Sequence, residues 1–129
     1  MIRVYYFTRT GDSRKIAESI ASQTGGSVFA IEDHENWSGP AGYLRAGYYA
    51  SSKKSVPADY EKPQDGDVIY LCFPVWAGSF PPAVRTFLSA VSRDRIIAVP
   101  SSLGSQLKDQ SGFIKVISVA GKDKTVHIR

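Results

Sequence analysis

Apolar positions along the chain fall into two kinds of run, and the two kinds alternate. Ile2 to Phe7 is β-branched and aromatic with few polar interruptions, the pattern of a strand buried on both faces. Ile16, Ala17, Ile20 and Ala21 then recur at helical spacing, with Glu18 and Gln23 on the opposite face, which predicts a helix beginning near Ser13 or Arg14. Thr24-Gly25-Gly26 supplies its stop, and Ser27 to Glu32 reads as a second strand. Asp67 to Phe73 is the strongest strand of the sequence and is expected at the centre of a sheet. Val84, Phe87, Leu88 and Val91 return to helical spacing behind Pro81 or Pro82, a residue suited to a first helical turn. Arg95 to Pro100 and Ile114 to Ala120 predict a fourth and a fifth strand, with Gln106 to Phe113 too short for more than a turn or two of helix.

The stretch from Asp33 to Gln64 is the least regular, interrupted at Gly39-Pro40, Val56-Pro57 and Lys62-Pro63. Tyr43 to Ala50 reads as a short helix with Leu44, Gly47, Tyr48 and Ser51 on one side. Tyr43, Tyr48 and Tyr49 would cover a ligand or pack on the sheet, and packing is the expectation. Thr125 to Ile128 looks more extended than helical.

Length and composition narrow the class. A chain of 129 residues, 43% of them hydrophobic, is predicted to form one domain with a substantial core. The longest apolar run, Val68 to Ala77 with Pro74 inside it, falls short of the roughly 20 residues of a membrane span. No charged leader precedes an apolar stretch, and the lone Cys72 has no partner for an internal disulfide, so a cytoplasmic protein is expected. Cys72, inside the strongest strand, reads as a core filler. The net charge of +4 raises nucleic-acid binding, but Arg9, Arg14, Lys15, Arg45, Lys53, Lys54, Lys108, Lys115, Lys122, Lys124 and Arg129 are scattered, so no nucleic-acid partner is expected. Trp37 reads as packing. His34 and His127 lack metal-ligand spacing and a nucleophile partner, so surface or packing roles are expected for both.

Alternating strands and helices build an open parallel sheet, whose ligands bind outside the carboxyl ends of the strands. Three loops qualify. Thr8-Arg9-Thr10-Gly11-Asp12-Ser13 runs from the first strand into the first helix, offering three hydroxyls, unpartnered amides and the positive end of the helix dipole. It reads either as a phosphate cradle or as a plain turn in which Asp12 or Ser13 caps the helix. Pro74-Val75-Trp76-Ala77-Gly78 offers a planar indole beside small residues, and Ser101-Ser102-Leu103-Gly104-Ser105 offers hydroxyls and a glycine. A phosphate cradle beside an aromatic platform asks for a ligand with a phosphate at one end and a flat ring at the other, a description that flavin mononucleotide (FMN) meets.

The first loop and the block from Asp67-Val68-Ile69 through Pro74-Val75-Trp76-Ala77-Gly78 to Pro82-Ala83-Val84-Arg85-Thr86-Phe87-Leu88 together resemble the flavodoxin-like proteins, from Ile2 to about Ala120. The resemblance implies an α/β, doubly wound, five-stranded parallel sheet of order 2-1-3-4-5, non-covalent FMN, and electron transfer with a redox partner protein or a small-molecule donor or acceptor. Carried over, Thr8, Thr10 and Ser13 would donate hydroxyls to the phosphate and the amides from Arg9 to Ser13, including Gly11 and Asp12, would complete the nest. Arg9 would screen charge. Pro74, Val75, Trp76, Ala77 and Gly78 would border the isoalloxazine, with Trp76 stacking on it or else buried in the core, and Ser101, Ser102, Leu103 and Gly104 would close the far side.

Three departures qualify the resemblance. Asp12 sets a carboxylate beside the phosphate, tolerable if it points to water or caps the helix, or if Arg9 and Arg14 offset it. The family's carriers are usually acidic, so the positive charge here implies a less negative reduction potential than theirs. The residues after Gly121 are too few for the helix with which the fold usually ends, so either a second subunit covers that face, giving a homodimer, or the face is thinner and partly polar. Two other functions stay open: a small NAD(P)H-dependent quinone or nitro reductase using FMN, and a binding or regulatory module of the same fold without redox activity.

Overall fold

The computed structural model describes residues 1–103, 106–121, 126 and 128. Its sheet is parallel throughout. β1 (Ile2–Tyr6) lies between β2 (Ser27–Ala30) and β3 (Val68–Pro74), and β4 (Ile96–Ser102) pairs with the far edge of β3. The fifth position is filled by two short pieces, β5 (Lys115–Val116) and β6 (Val119–Ala120), both paired with β4. The spatial order is therefore 2-1-3-4-5, the order of a flavodoxin-like fold, as expected.

The fifth strand was expected to run unbroken from Ile114 to Ala120, and the break has a chemical cause. Register is kept across it, since Ile97 and Ala98 face Lys115 and Val116 while Ser101 and Ser102 face Val119 and Ala120. The gap falls beside Pro100, which has no N–H to donate to the ladder.

Alternation along the strands separates two cores. Tyr5, Ile69, Leu71 and Phe73 face one side, where α2 (Gly39–Ser51) and α3 (Pro82–Ala90) lie, and Val4, Tyr70, Cys72 and Val99 face the side covered by α1 (Asp12–Thr24). Cys72 is fully buried, and burial pushes its thiol pKa far up, so it is an inert core filler as the sequence implied. On the α1 side the chain's own C-terminal residues contribute cover. Val126 is buried in that core and Ile128 packs on it. The Gln23 side chain holds them, donating from Nε2 to the Val126 carbonyl (2.6 Å) and accepting at Oε1 from the Ile128 amide (2.9 Å). Among the described residues no helix follows β6, and none is long and apolar enough to cross a membrane. His127 lies outside the described residues, as do Lys122 to Thr125 and Arg129.

α2 is longer than the predicted Tyr43–Ala50 helix, and it turns the other way. Its buried residues are Gly42, Ala46 and Ala50, one small side chain per turn, while Tyr43, Leu44 and Tyr48 are 68%, 72% and 59% exposed. The expected packing of Tyr43 and Tyr48 on the sheet is thus corrected; of the three tyrosines only Tyr49 packs on the core. The cause is steric. A Cβ at Gly42 would stand 2.2 Å from the Trp37 backbone, so the helix lies against Trp37 too closely for large side chains on that face.

At the opposite, amino-terminal edge of the sheet Arg3 and Asp67 form an ion pair with Nε to Oδ2 at 2.6 Å, both side chains 5% exposed. Asp67 also accepts from the Gln64 amide (2.8 Å) and lies 3.5 Å from the terminal ammonium of Met1. The Gln64 hydrogen bond, then the Arg3 guanidinium, hold its carboxyl below the usual range, against an opposing effect of burial. Stability from such a group is complete above its unfolded pKa, near ~3.9, and is lost as pH falls through the lower folded value. Thermal unfolding midpoints should therefore drop on the acid side, and Asp67→Asn should lower the midpoint at neutral pH while flattening the acid limb. An acid limb equally steep in the variant would remove Asp67 from the account.

Candidate functional site

β1, β3 and β4 end at one edge of the sheet, and the loops that leave them enclose a cleft of about 440 Å³. Twelve of the fifteen residues expected at a ligand site line it: Thr8, Arg9, Thr10, Asp12 and Ser13 from the first loop, Pro74, Val75, Trp76 and Ala77 from the second, and Ser101, Ser102 and Leu103 from the third. Gly11 and Gly78 do not border it, and Gly104 lies outside the described residues. Tyr43, Ala46 and Gly47 of α2 complete the wall; for Tyr43 this is the ligand-covering alternative that the sequence left second to packing, and Ala46 and Gly47 were not foreseen. Their signal in the sequence was the spacing of Gly42, Ala46 and Ala50, which marks a helix lying close against its neighbours.

The first loop is built to leave donors unspent. Gly11 is the N-cap of α1 with φ 97°, a left-handed conformation that suits glycine, and no side chain caps the helix. Its amide donates to Thr8 Oγ1 (2.8 Å), which removes that amide from the expected nest but leaves the Thr8 hydroxyl proton free. Asp12, Ser13 and Arg14 open the helix, and their amides have no carbonyl one turn back inside it. Ser13 falls one turn before Ile16 on the buried face of α1, so it is 1% exposed, and its Oγ is buried with no hydrogen-bond partner. The capping alternative therefore fails for both candidates.

Charge in this loop is distributed unevenly. Arg9 does not face Asp12 as a counter-ion; its Nε donates to the Trp37 carbonyl (2.6 Å) and its Nη2 to the Gly39 carbonyl (3.3 Å), fastening the loop to the start of α2. Arg14 is exposed, with Nε 4.0 Å from Glu18 Oε2. Asp12 remains on the cleft wall, its Oδ2 accepting from the Thr10 hydroxyl at 3.4 Å. That bond occupies the Thr10 proton.

The second loop is a tight turn. Trp76 and Ser79 exchange both backbone hydrogen bonds (3.0 and 2.9 Å), and Ala77 and Gly78 between them have φ 51° and 73°, as a type I′ turn requires. The Gly78 carbonyl accepts from the Lys108 amide (3.0 Å), which turns this residue away from the cleft. Trp76 is 9% exposed and packed edge-on against Phe7 and Trp37, with ring centroids at 5.5 and 5.3 Å. The indole is thus part core and part cleft wall, whereas Trp37 belongs to the core and does not line this cleft, its Nε1 donating to Asp33 Oδ2 (2.8 Å). His34 is exposed beside Asp59 (2.9 Å). In the third loop Ser101 is buried, Ser102 half-buried and Leu103 74% exposed. Among the described residues no group of acidic, histidine and cysteine side chains is arranged to hold a metal ion.

Comparison with known proteins places this geometry. No protein-family model matches the chain. An uncharacterised protein of Archaeoglobus fulgidus is 39% identical over 101 residues, a match covering 74% of this chain and 61% of that one, so the chain spans about three fifths of its relative. Among solved structures, a flavoprotein of Lactobacillus acidophilus crystallised in complex with FMN superimposes with a TM-score of 0.68 and 18% identity over 95% of this chain and 93% of that one. A Bacteroides uniformis protein classed with the flavoproteins does so with a TM-score of 0.76 and 19% identity, covering 95% and 92%. At these identities the likeness establishes a flavodoxin-like fold.

Ala77 is a non-glycine residue in the left-handed region, at a cost of roughly 1–2 kcal/mol. Ala77→Gly should relieve it and raise stability by about 0.5–1 kcal/mol after the added chain entropy of glycine is subtracted, read as a higher urea midpoint at unchanged slope. A lower midpoint would show that the Ala77 methyl contributes more by packing than its backbone costs.

Proposed function

We propose that the cleft binds FMN and that the protein is a flavodoxin-like redox protein acting in electron transfer. The observation that carries this reading is Ser13, a cleft-lining residue whose hydroxyl is buried without a partner. Burying a hydroxyl unpaired costs free energy of the order of 1–3 kcal/mol, and an oxyanion at the start of α1 would relieve it. The unpartnered amides of Asp12, Ser13 and Arg14 add donors at the positive end of the helix, and Thr8 adds a hydroxyl proton. The cleft continues from this polar end to Pro74, Val75, Trp76 and Leu103, and its size lies within the range of small-cofactor sites. The residues present therefore fit a phosphate joined to a flat apolar ring.

Once bound, FMN supplies the electron or hydride chemistry, and the protein's part is to bind, orient and set the field around the ring. Thr8, Ser13 and the first amides of α1 would hold the phosphate end. Trp76, Val75 and Pro74 from the second loop and Ser101, Ser102 and Leu103 from the third would border the ring. Arg9 acts at one remove by fixing the first loop to α2. The FMN complex of the structurally similar Lactobacillus acidophilus flavoprotein supports the choice of ligand, and the positive net charge supports a less negative reduction potential than that of acidic flavodoxins. Neither a cytoplasmic location nor a particular partner is needed for this reading.

Titration of the flavin-free protein tests it. FMN should bind one to one with quenched flavin fluorescence, and riboflavin, which lacks the phosphate, should bind at least about a hundredfold more weakly. Two substitutions should act in opposite directions. Ser13→Ala should leave the stability of the flavin-free protein unchanged or slightly higher, because it removes an unpaired buried hydroxyl, yet weaken FMN by about tenfold or more. Asp12→Asn should tighten FMN severalfold by removing a like charge and releasing the Thr10 proton, with the gain shrinking at high salt. A protein that binds neither flavin would leave the binding-module alternative. Stopped-flow reduction by NADH or NADPH within the catalytic range would shift the assignment to a reductase.

A further inference from the structure

We propose that the outer face of α2, with the exposed Leu103 that also lines the cleft, is the docking surface for an acidic electron-carrier protein, a proposal that rests on the FMN reading. Tyr43, Leu44 and Tyr48 form an exposed apolar stripe whose first member lines the cleft, and Leu103 is an equally exposed apolar residue lining the cleft from the third loop. Two exposed side chains with large apolar surfaces, from separate parts of the chain, therefore line the cleft, and the patch on α2 is continuous with the site itself. Such a patch marks an interaction surface more often than chance exposure of single residues does.

Charge selects the occupant. No carboxylate occurs between Glu35 and Asp59. Arg45 is engaged by Glu35 (3.8 Å) and by the Asn36 carbonyl (3.1 Å), which leaves Lys53 and Lys54 as the surplus charge. Both are exposed, at the end of α2, and Lys54 Nζ sits 5.4 Å from the centre of the Tyr48 ring. An apolar centre with a basic rim complements a partner with an acidic rim, and it repels a second copy of the same surface. One helix face and one loop tip also match the small interfaces of transient electron-transfer complexes. Acidic flavodoxin-like carriers would present the opposite sign to their partners.

The test uses the FMN-loaded protein, an acidic [2Fe–2S] ferredoxin as probe and basic cytochrome c as control. Ferredoxin should shift the amide resonances of residues 43–54 and 103, and its affinity should fall at least about tenfold between low salt and ~0.3 M salt. Leu44→Glu and the double substitution Lys53→Glu with Lys54→Glu should each weaken ferredoxin binding and slow electron exchange with it by about tenfold. FMN affinity and reduction by dithionite should stay unchanged in both. Tighter binding of cytochrome c, shifts located elsewhere, salt-independent affinity, or variants that bind as well as the parent would each overturn the proposal, as would a dimer that protects α2. Binding of ferredoxin at α2 by a protein that takes up no FMN would overturn the cofactor assignment and keep the surface.

Discussion

The shape of the cleft depends on the edge-on contact between Trp37 and Trp76. Trp76 belongs to the loop that leaves β3, and Trp37 precedes α2, so the contact joins two parts of the chain that no hydrogen-bond ladder connects. Three further interactions converge on Trp37. Its carbonyl accepts from Arg9 of the first loop, its ring packs edge-on against Tyr49 at 5.6 Å, and its backbone lies where a Cβ at Gly42 would stand. One buried residue, through its indole and its backbone together, thereby joins the first loop, the second loop and the helix that walls the cleft in a single packed unit. Aromatic contacts of this kind add to the burial of the rings themselves, and the dense packing around them leaves little room for independent movement of any one piece.

Around this frame the first loop holds an unspent electrostatic resource. A helix normally begins with a side chain that satisfies its first amides, and here the N-cap is a glycine with no such side chain. Thr8 absorbs only the Gly11 amide, and the buried Ser13 hydroxyl is left with nothing. Donors left unpaired in this loop are a cost that the parallel sheet and its two cores can carry, and an anion bound there would recover it. Asp12 opposes that recovery. Its carboxylate is not neutralised by either nearby arginine, so an anion in this loop would be held less tightly than the donors alone would allow.

The strands and the three loops at the carboxyl edge of the sheet were legible in the sequence because each rests on local chemistry, whereas the order of the strands came from the family resemblance. Continuous β-branched and aromatic runs mark buried parallel strands, and the helical spacing of Ile16, Ala17 and Ile20 is enough by itself to set Ser13 on a buried face. What was not legible depended on distant partners. The break in the fifth strand comes from a missing N–H on its neighbour, Pro100, and no property of residues 114–120 announces it. The orientation of α2 follows from Trp37 lying against Gly42, a contact between a loop and a helix whose largest residues suggested the opposite face. The partial burial of Trp76 likewise depends on Phe7 and Trp37, so a residue that looked like an exposed platform is anchored in the core while still reaching the cleft.

Steric exclusion explains why Tyr43, Leu44 and Tyr48 do not point inward, but it does not explain why they are apolar. The inward face of α2 is satisfied by Gly42, Ala46 and Ala50, and any soluble side chain would meet the requirements of the outward face. Helix propensity does not favour the two tyrosines either, since lysine, glutamate or glutamine would form the helix as well or better. A protein with a positive net charge and many solvated lysines elsewhere had polar residues to place there, and the exposed stripe keeps apolar area in water at a cost of the order of 25 cal/mol per Å² of the surface that a partner would cover. The fold alone does not call for apolar residues on this stripe, and a partner docked beside the cleft, which Tyr43 and Leu103 both line, would supply the reason.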